Sequence, residues 1–168
     1  MTDFQFDLVF ALPDRALDQA ALLDALFEAG FDDAVIGLGA KGTLALSMDR
    51  SGEDGETVML DAISAALAAL PAGTTFREAR PDLVSLADVA AQIGVTRQAL
   101  QKRPMPAPSL GGLYRASEVQ AQLAKARDGK IAERMEAARG WFAAALPAQK
   151  INAMIALGRP PWINRSAG

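Results

Sequence analysis

No cysteine and no histidine occur among the 168 residues of this chain. Without thiols there can be no disulfide framework and no zinc–thiolate site. Without imidazoles the commonest general base and the commonest transition-metal ligand are missing as well. An enzyme made from this chain would have to work with Asp, Glu, Lys, Ser or Tyr, and no cluster of acid, base and nucleophile stands out along it. The expectation is therefore a non-enzyme with no catalytic residue, no metal site and no cofactor. Long apolar runs are lacking too, since no stretch approaches the roughly 18 residues of a membrane span. The opening MTDFQFDLVFALPD carries acids where a secretion signal carries bases, and its apolar positions alternate instead of running together. A cytoplasmic protein that does not enter a membrane is expected.

What is present points to a folded chain. Hydrophobic residues make up 51% and charged residues 22% of the sequence, too apolar for a disordered segment and ordinary for a soluble domain. The net charge of −3 conceals a division: residues 1–80 hold 14 acidic and 5 basic residues, whereas residues 81–168 hold 6 and 12. Such asymmetry suits a basic module that meets a polyanion, placed beside an acidic module that does not.

Periodicity divides the chain further. Phe4, Phe6, Leu8 and Phe10 recur at period two, the pattern of a half-buried strand, which Pro13 and Asp14 end. Asp18 is a good N-cap for a helix carrying Ala21, Leu22, Ala25, Leu26 and Ala29, and Gly30 stops it. Residues 34–39 and 42–49 read as a hairpin, 50–56 as an acidic loop, 58–70 as a second helix and 74–79 as a last strand. The order β-α-β-β-α-β predicts an α+β fold of ferredoxin-like kind, with one antiparallel sheet and both helices on one face. Gly37, Gly39 and Gly42 have phosphate-loop spacing but lie in a strand-to-strand turn, so they are hairpin glycines. Asp49, Glu53, Asp54 and Glu56 lack the ordered ligand pattern of a calcium loop and read as a solvated loop.

A proline and the change of charge sign place a domain boundary in the segment 79–83. Three units are expected: an acidic βαββαβ domain over 1–80 for dimerisation or sensing, a DNA-binding domain over 81–128, and C-terminal helices with a tail over 129–168. In the last unit two helices are separated at Pro147, and the tail is extended. Ile131, Met135, Ala138, Phe142, Ala145 and Leu146 fall on one helical face that Ile151, Met154, Ile155 and Trp162 continue, suited to core packing or to a dimer interface.

Function concentrates in SLADVAAQIGVTRQALQKR. Ser85 caps a helix with Leu86, Val89, Ala90 and Ile93 as its apolar stripe, and Gly94 ends it. Val95 turns inward and Thr96 caps a second helix, 96–103, whose buried face is Ala99 and Leu100. A small residue at the crossing, a glycine turn and apolar locks make the helix-turn-helix pattern. Arg97, Gln98, Gln101, Lys102 and Arg103 stay outside, and no acid shares that face. Arginine can hold guanine O6 and N7 with two bonds and glutamine adenine N6 and N7. Thr96, Lys102 and Arg103 are better placed for phosphates. An ordinary helical hairpin with a solvated polar face shares the periodicity but explains neither the missing acids nor the charge shift.

That run, followed by PMPAPSLGGLYRASEVQAQL, resembles the winged helix-turn-helix domains of the phage excisionase, AlpA and MerR-like group. The resemblance covers about residues 83–125 and rests on Pro106 and Pro108, the Gly111 and Gly112 turn, Tyr114 with Arg115, and the helix start at Ser117, Glu118 and Val119. It implies a short wing at Gly111 and Gly112, with Tyr114 on the wing strand and Arg115 reaching the phosphate backbone. Pro104 departs from the pattern by following the second helix almost at once. The overall order resembles a group of bacterial DNA-binding proteins and implies no further activity.

The expectation is a sequence-specific duplex-DNA-binding regulator of transcription that contacts DNA through Ser85, Thr96, Arg97, Gln98, Gln101, Lys102, Arg103, Tyr114 and Arg115. A homodimer is expected, because one recognition helix seldom supplies enough affinity. The alternatives are an antitoxin- or adaptor-type module whose acidic N-terminal half binds a protein partner, and an excisionase-like DNA-bending factor.

Overall fold

The computed structural model describes residues 1–15 and 17–162, so the end of the predicted extended tail lies outside the described residues. The chain is α+β, built on a four-stranded antiparallel sheet. β1 (Thr2–Ala11) turns Phe4, Phe6, Leu8 and Phe10 to one side, each no more than 5% exposed. Strand alternation thus makes the sheet's inner face directly from the period-two pattern. α1 (Gln19–Leu26) starts where the Asp18 carboxylate accepts from the amides of Ala20 and Ala21, and a widened turn carries it on to Phe31 through Gly30 at φ +97°. β2 (Val35–Leu38) and β3 (Thr43–Gly52) form the expected hairpin, α2 spans Gly55–Ala69, and β4 spans Thr75–Arg80. The strand order is β2-β3-β1-β4. Leu22 and Leu26 of α1 and Met59 and Ile63 of α2 join the β1 phenylalanines in one core, so both helices cover the same face.

The acidic segment 50–56 is more ordered than a solvated loop. β3 runs on to Gly52, and Asp54 caps α2 by accepting from the amide and hydroxyl of Thr57. Glu56 pairs with Lys150 at 3.3 Å and Glu53 with the chain's N-terminal amine at 3.6 Å. A cap residue, not a turn, was the local signal there.

β5 (Leu83–Val84) follows the cis Arg80–Pro81 bond and pairs with β6 (Tyr114–Arg115). α3 (Leu86–Ile93), α4 (Arg97–Gln101), α5 (Ala116–Leu123) and α6 (Gly129–Ala137) surround a second core that includes Val89, Ile93, Leu100, Val119, Ile131 and Phe142.

α7 (Arg139–Ala156) does not break at Pro147; the chain instead breaks at Ala138. A proline inside a helix costs about 3 kcal/mol or more through its missing N–H and its ring. Here packing offsets the loss: the ring lies so close to Gly55 that a Cβ there would sit 2.6 Å from Pro147 Cγ. Ala144, Ala148 and Ile151 belong to the sheet core, whereas Phe142 and Ala145 belong to the second. One helix therefore ties both cores together. Leu146, expected on the buried face, is 50% exposed.

α7 also covers a sheet edge. β4 pairs with β1 only over residues 7–11. Beside the open half of β1, Gly140 approaches so closely that a Cβ would stand 3.2 Å from the Asp3 carbonyl oxygen. Farther along, the Asn152 side chain accepts from the Ala79 amide and donates to the Ala79 carbonyl, both at 2.8 Å. Covering an edge in this way satisfies backbone groups that would otherwise invite another strand.

Candidate nucleic-acid interface

α3 and α4 meet around a tight turn. Ser85 and Asp88 form a capping box, the Ser85 hydroxyl accepting from the Asp88 amide at 3.0 Å while the Asp88 carboxylate accepts from the Ser85 amide at 2.9 Å. Gly94 ends α3 at φ +71°, where any side chain is strained, and Val95 donates back to the Ala90 carbonyl. Thr96 caps α4 by accepting from the Ala99 amide at 3.1 Å. Leu100 is wholly buried and anchors α4 on the second core. Ala99, expected inside with Leu100, is exposed; with only one face of a short helix docked, Leu100 alone reaches the core.

α4 is also shorter than the 96–103 reading. It ends at Gln101 with Lys102 as its C-cap, and its five residues span about 7.5 Å. Pro104 supplies the reason, since the residue before a proline is pushed out of helical geometry.

The nine expected DNA contacts divide by what already holds them. Arg97, Gln98, Gln101 and Lys102 are exposed and have no hydrogen-bond or ion-pair partner among the described residues. Ser85 and Thr96 spend their hydroxyls on caps. The Arg103 guanidinium donates to Asp128 at 2.7 Å. Tyr114 packs against the second core. The Arg115 guanidinium donates to Asp82 at 2.7 Å, and Asp82, only 6% exposed, also accepts from Asn152 at 2.9 Å. Arg115 thus fastens β6 to the segment between the cores. The Gly111 and Gly112 turn exists, at φ +65° and +73°, with Ser109 donating to the Leu113 carbonyl at 2.6 Å. β6, however, pairs with β5 ahead of α3 and not with a strand across that turn.

Sequence reasoning passed over the segment between α5 and α6. The Arg103–Asp128 pair brings this segment beside the end of α4, and a cleft of about 180 Å³ lies between Arg103, Pro104, Gln122 and Lys125. The side chains of Lys125, Arg127 and Lys130 are exposed there and make no hydrogen bond or ion pair among the described residues. Three cations around a single acid in KARDGK were the available signal. Asp128 is held below the ordinary carboxylate range, first by the hydrogen bond from Arg103 and then by the Lys130 amide. Arg134 of α6 braces the turn, donating to the Ile93 carbonyl at 3.2 Å and the Gly94 carbonyl at 2.7 Å.

Set against protein-family models, curated proteins and solved structures, the chain matches none. Residues 95–130 hold seven basic and two acidic side chains, and one of the acids, Asp128, is already paired. Arg97, Gln98, Gln101 and the C-cap Lys102 at α4, and the three cations of the neighbouring segment, are exposed with no side-chain partner among the described residues. Among the described residues no group of three or more His, Cys, Asp or Glu side chains is placed to hold a metal ion, and no helix is long and apolar enough to cross a membrane.

Proposed function

We propose that this chain is a sequence-specific duplex-DNA-binding protein that regulates transcription. The observation that carries the reading is the set of four exposed side chains at α4 without side-chain partners among the described residues, Arg97, Gln98 and Gln101 with the C-cap Lys102, held where α3 and α4 meet around a capped turn. In this reading the second core is a winged helix-turn-helix of the excisionase, AlpA and MerR-like kind, and the first is a ferredoxin-like domain that carries dimerisation or signal uptake. α4 enters the major groove, where Arg97 and Gln98 have the donors and acceptors that base edges require. A five-residue helix presents few side chains to the groove, so affinity depends strongly on phosphate contacts. Lys102, Lys125, Arg127 and Lys130 supply these. Arg103 and Arg115 act as positioning residues, because their guanidinium groups are held by Asp128 and Asp82.

Selection of bound sites from a pool of random duplexes, with sequencing of the survivors, tests the reading. A recurrent motif with salt-dependent binding is expected. Absence of salt-dependent binding to every duplex overturns it.

A further inference from the structure

The two edges of the four-stranded sheet are finished in opposite ways. On the β4 side α7 lies over the open half of β1, and Asn152 occupies both backbone groups of Ala79. On the other side β2 pairs, among the described residues, only with β3. The Gly39 amide donates to the Thr43 carbonyl at 2.7 Å. Antiparallel bonding alternates along a strand, so Val35 and Gly37 share their bonds with β3 while Ile36 and Leu38 direct theirs outward. Natural edge strands are guarded by charge, proline, a bulge or short length. β2 reads Val-Ile-Gly-Leu in unbroken register; at four residues it is short, but it carries no charge, proline or bulge. Apolar side chains gather around it: Val35 is 72% and Leu38 42% exposed, and on α1 and the turn after it Leu23 is 41% and Phe27 65% exposed.

We infer that the β2 edge, with the outer side of α1, is the interface between two copies of this chain, the β2 strands pairing antiparallel about a two-fold axis. An antiparallel edge is complementary to itself under such an axis, which is what an isologous dimer requires. The four exposed side chains present roughly 350 Å² per copy, a little under half of the ~800 Å² per partner of a standard interface. The backbone of β2 and the exposed flank of α1 supply the remainder. For its purpose, bringing a second α4 to the DNA, the inference rests on the DNA-binding reading. The β2 edge and α1 contain none of the proposed DNA contacts.

Charge gives the interface a signature. Residues 16–40 carry Asp18, Asp24, Glu28, Asp32 and Asp33 and no Lys or Arg. Asp33 pairs with Arg50, while the other acids bring like charges toward each other as the copies approach. Added salt screens this repulsion, so salt tightens the dimer although it loosens DNA binding.

Sedimentation velocity on the full chain without DNA, at low and at high salt, is the test. A dimer that strengthens with salt is expected. Val35→Lys and Phe27→Glu should each raise its Kd by about tenfold or more, with unchanged far-UV circular dichroism and melting, since both side chains are exposed in the single copy. Hydrogen exchange on the unaltered protein should show the Ile36 and Leu38 amides protected more as concentration rises. A protein that stays monomeric, a dimer that both variants leave intact, or edge amides that exchange freely at every concentration each overturn the inference. Loss of DNA binding with the dimer intact counts against the DNA-binding reading alone.

Discussion

Arg115 and Asp82 form an ion pair at 2.7 Å in which the arginine side chain is 22% and the carboxylate 7% exposed. Asn152 completes the group by donating to the same carboxylate while clamping Ala79. A strand of the second core, the linking segment and the sheet edge thus converge on one buried carboxylate. Breaking such a pair leaves the partner charge buried and uncompensated. Asp82→Ala should cost about 2–4 kcal/mol in urea unfolding. The double variant Asp82→Ala with Arg115→Ala should lose less than the sum of the single losses, because each single change already removes the interaction.

The α4 face and the segment beside it should be separable by salt. Arg97→Ala or Gln98→Ala should cost on the order of 1–3 kcal/mol at one base position and relax specificity there. Lys102→Ala should weaken all duplexes alike and lower the salt slope by about one unit. Removing Lys125, Arg127 and Lys130 together should lower it by roughly three with base preference unchanged. Titrations of matched and scrambled duplexes across salt concentrations read all three outcomes.

Arg134 braces the turn between α3 and α4. Its guanidinium satisfies the Ile93 and Gly94 carbonyls at the turn. Arg134→Ala should destabilise the second core by about 1.5–3 kcal/mol, the range for hydrogen bonds to a charged group. Thermal melting checks the loss, and Arg134→Lys should recover only part of it, since a lysine is a single point of charge without the guanidinium fork.

Acid should loosen the end of α4. Folding lowers the Asp128 carboxyl below its ordinary value of 3.8, chiefly through the Arg103 hydrogen bond. The unfolded chain therefore takes up this proton more readily than the folded one. The stability that Asp128 brings is fully present above pH 3.8 and is lost as pH falls through the lower folded value. Asp128→Asn should lower the urea midpoint near neutrality, and the gap from the unaltered protein should close as the pH is taken below that range.

Much of the local structure was legible because its causes are local. Phe4, Phe6, Leu8 and Phe10 specify a strand and its buried face by alternation alone. Asp18, Ser85 and Thr96 cap the helices they precede, and Gly30 and Gly94 adopt the positive φ that their positions suggested. Pro147 misled for a physical reason: a helix-breaking side chain was outweighed by packing against Gly55, a residue about ninety positions away.

The polar set on α4 was also legible, since Arg97, Gln98 and Gln101 are polar and Leu100 apolar, although Ala99, expected inside with Leu100, is exposed as well. Which cations remain unpaired was decided by the tertiary structure. Arg103 and Arg115 look as available as Arg97 in a linear reading, yet Asp128 and Asp82 hold them across 25 and 33 residues. The same long-range closure brings Lys125, Arg127 and Lys130 beside α4, threads α7 through both cores and leaves β2 as the bare edge of the sheet. Caps, turns and alternation depend on neighbours a few residues apart, whereas ion pairs and sheet edges depend on which distant segments burial brings together.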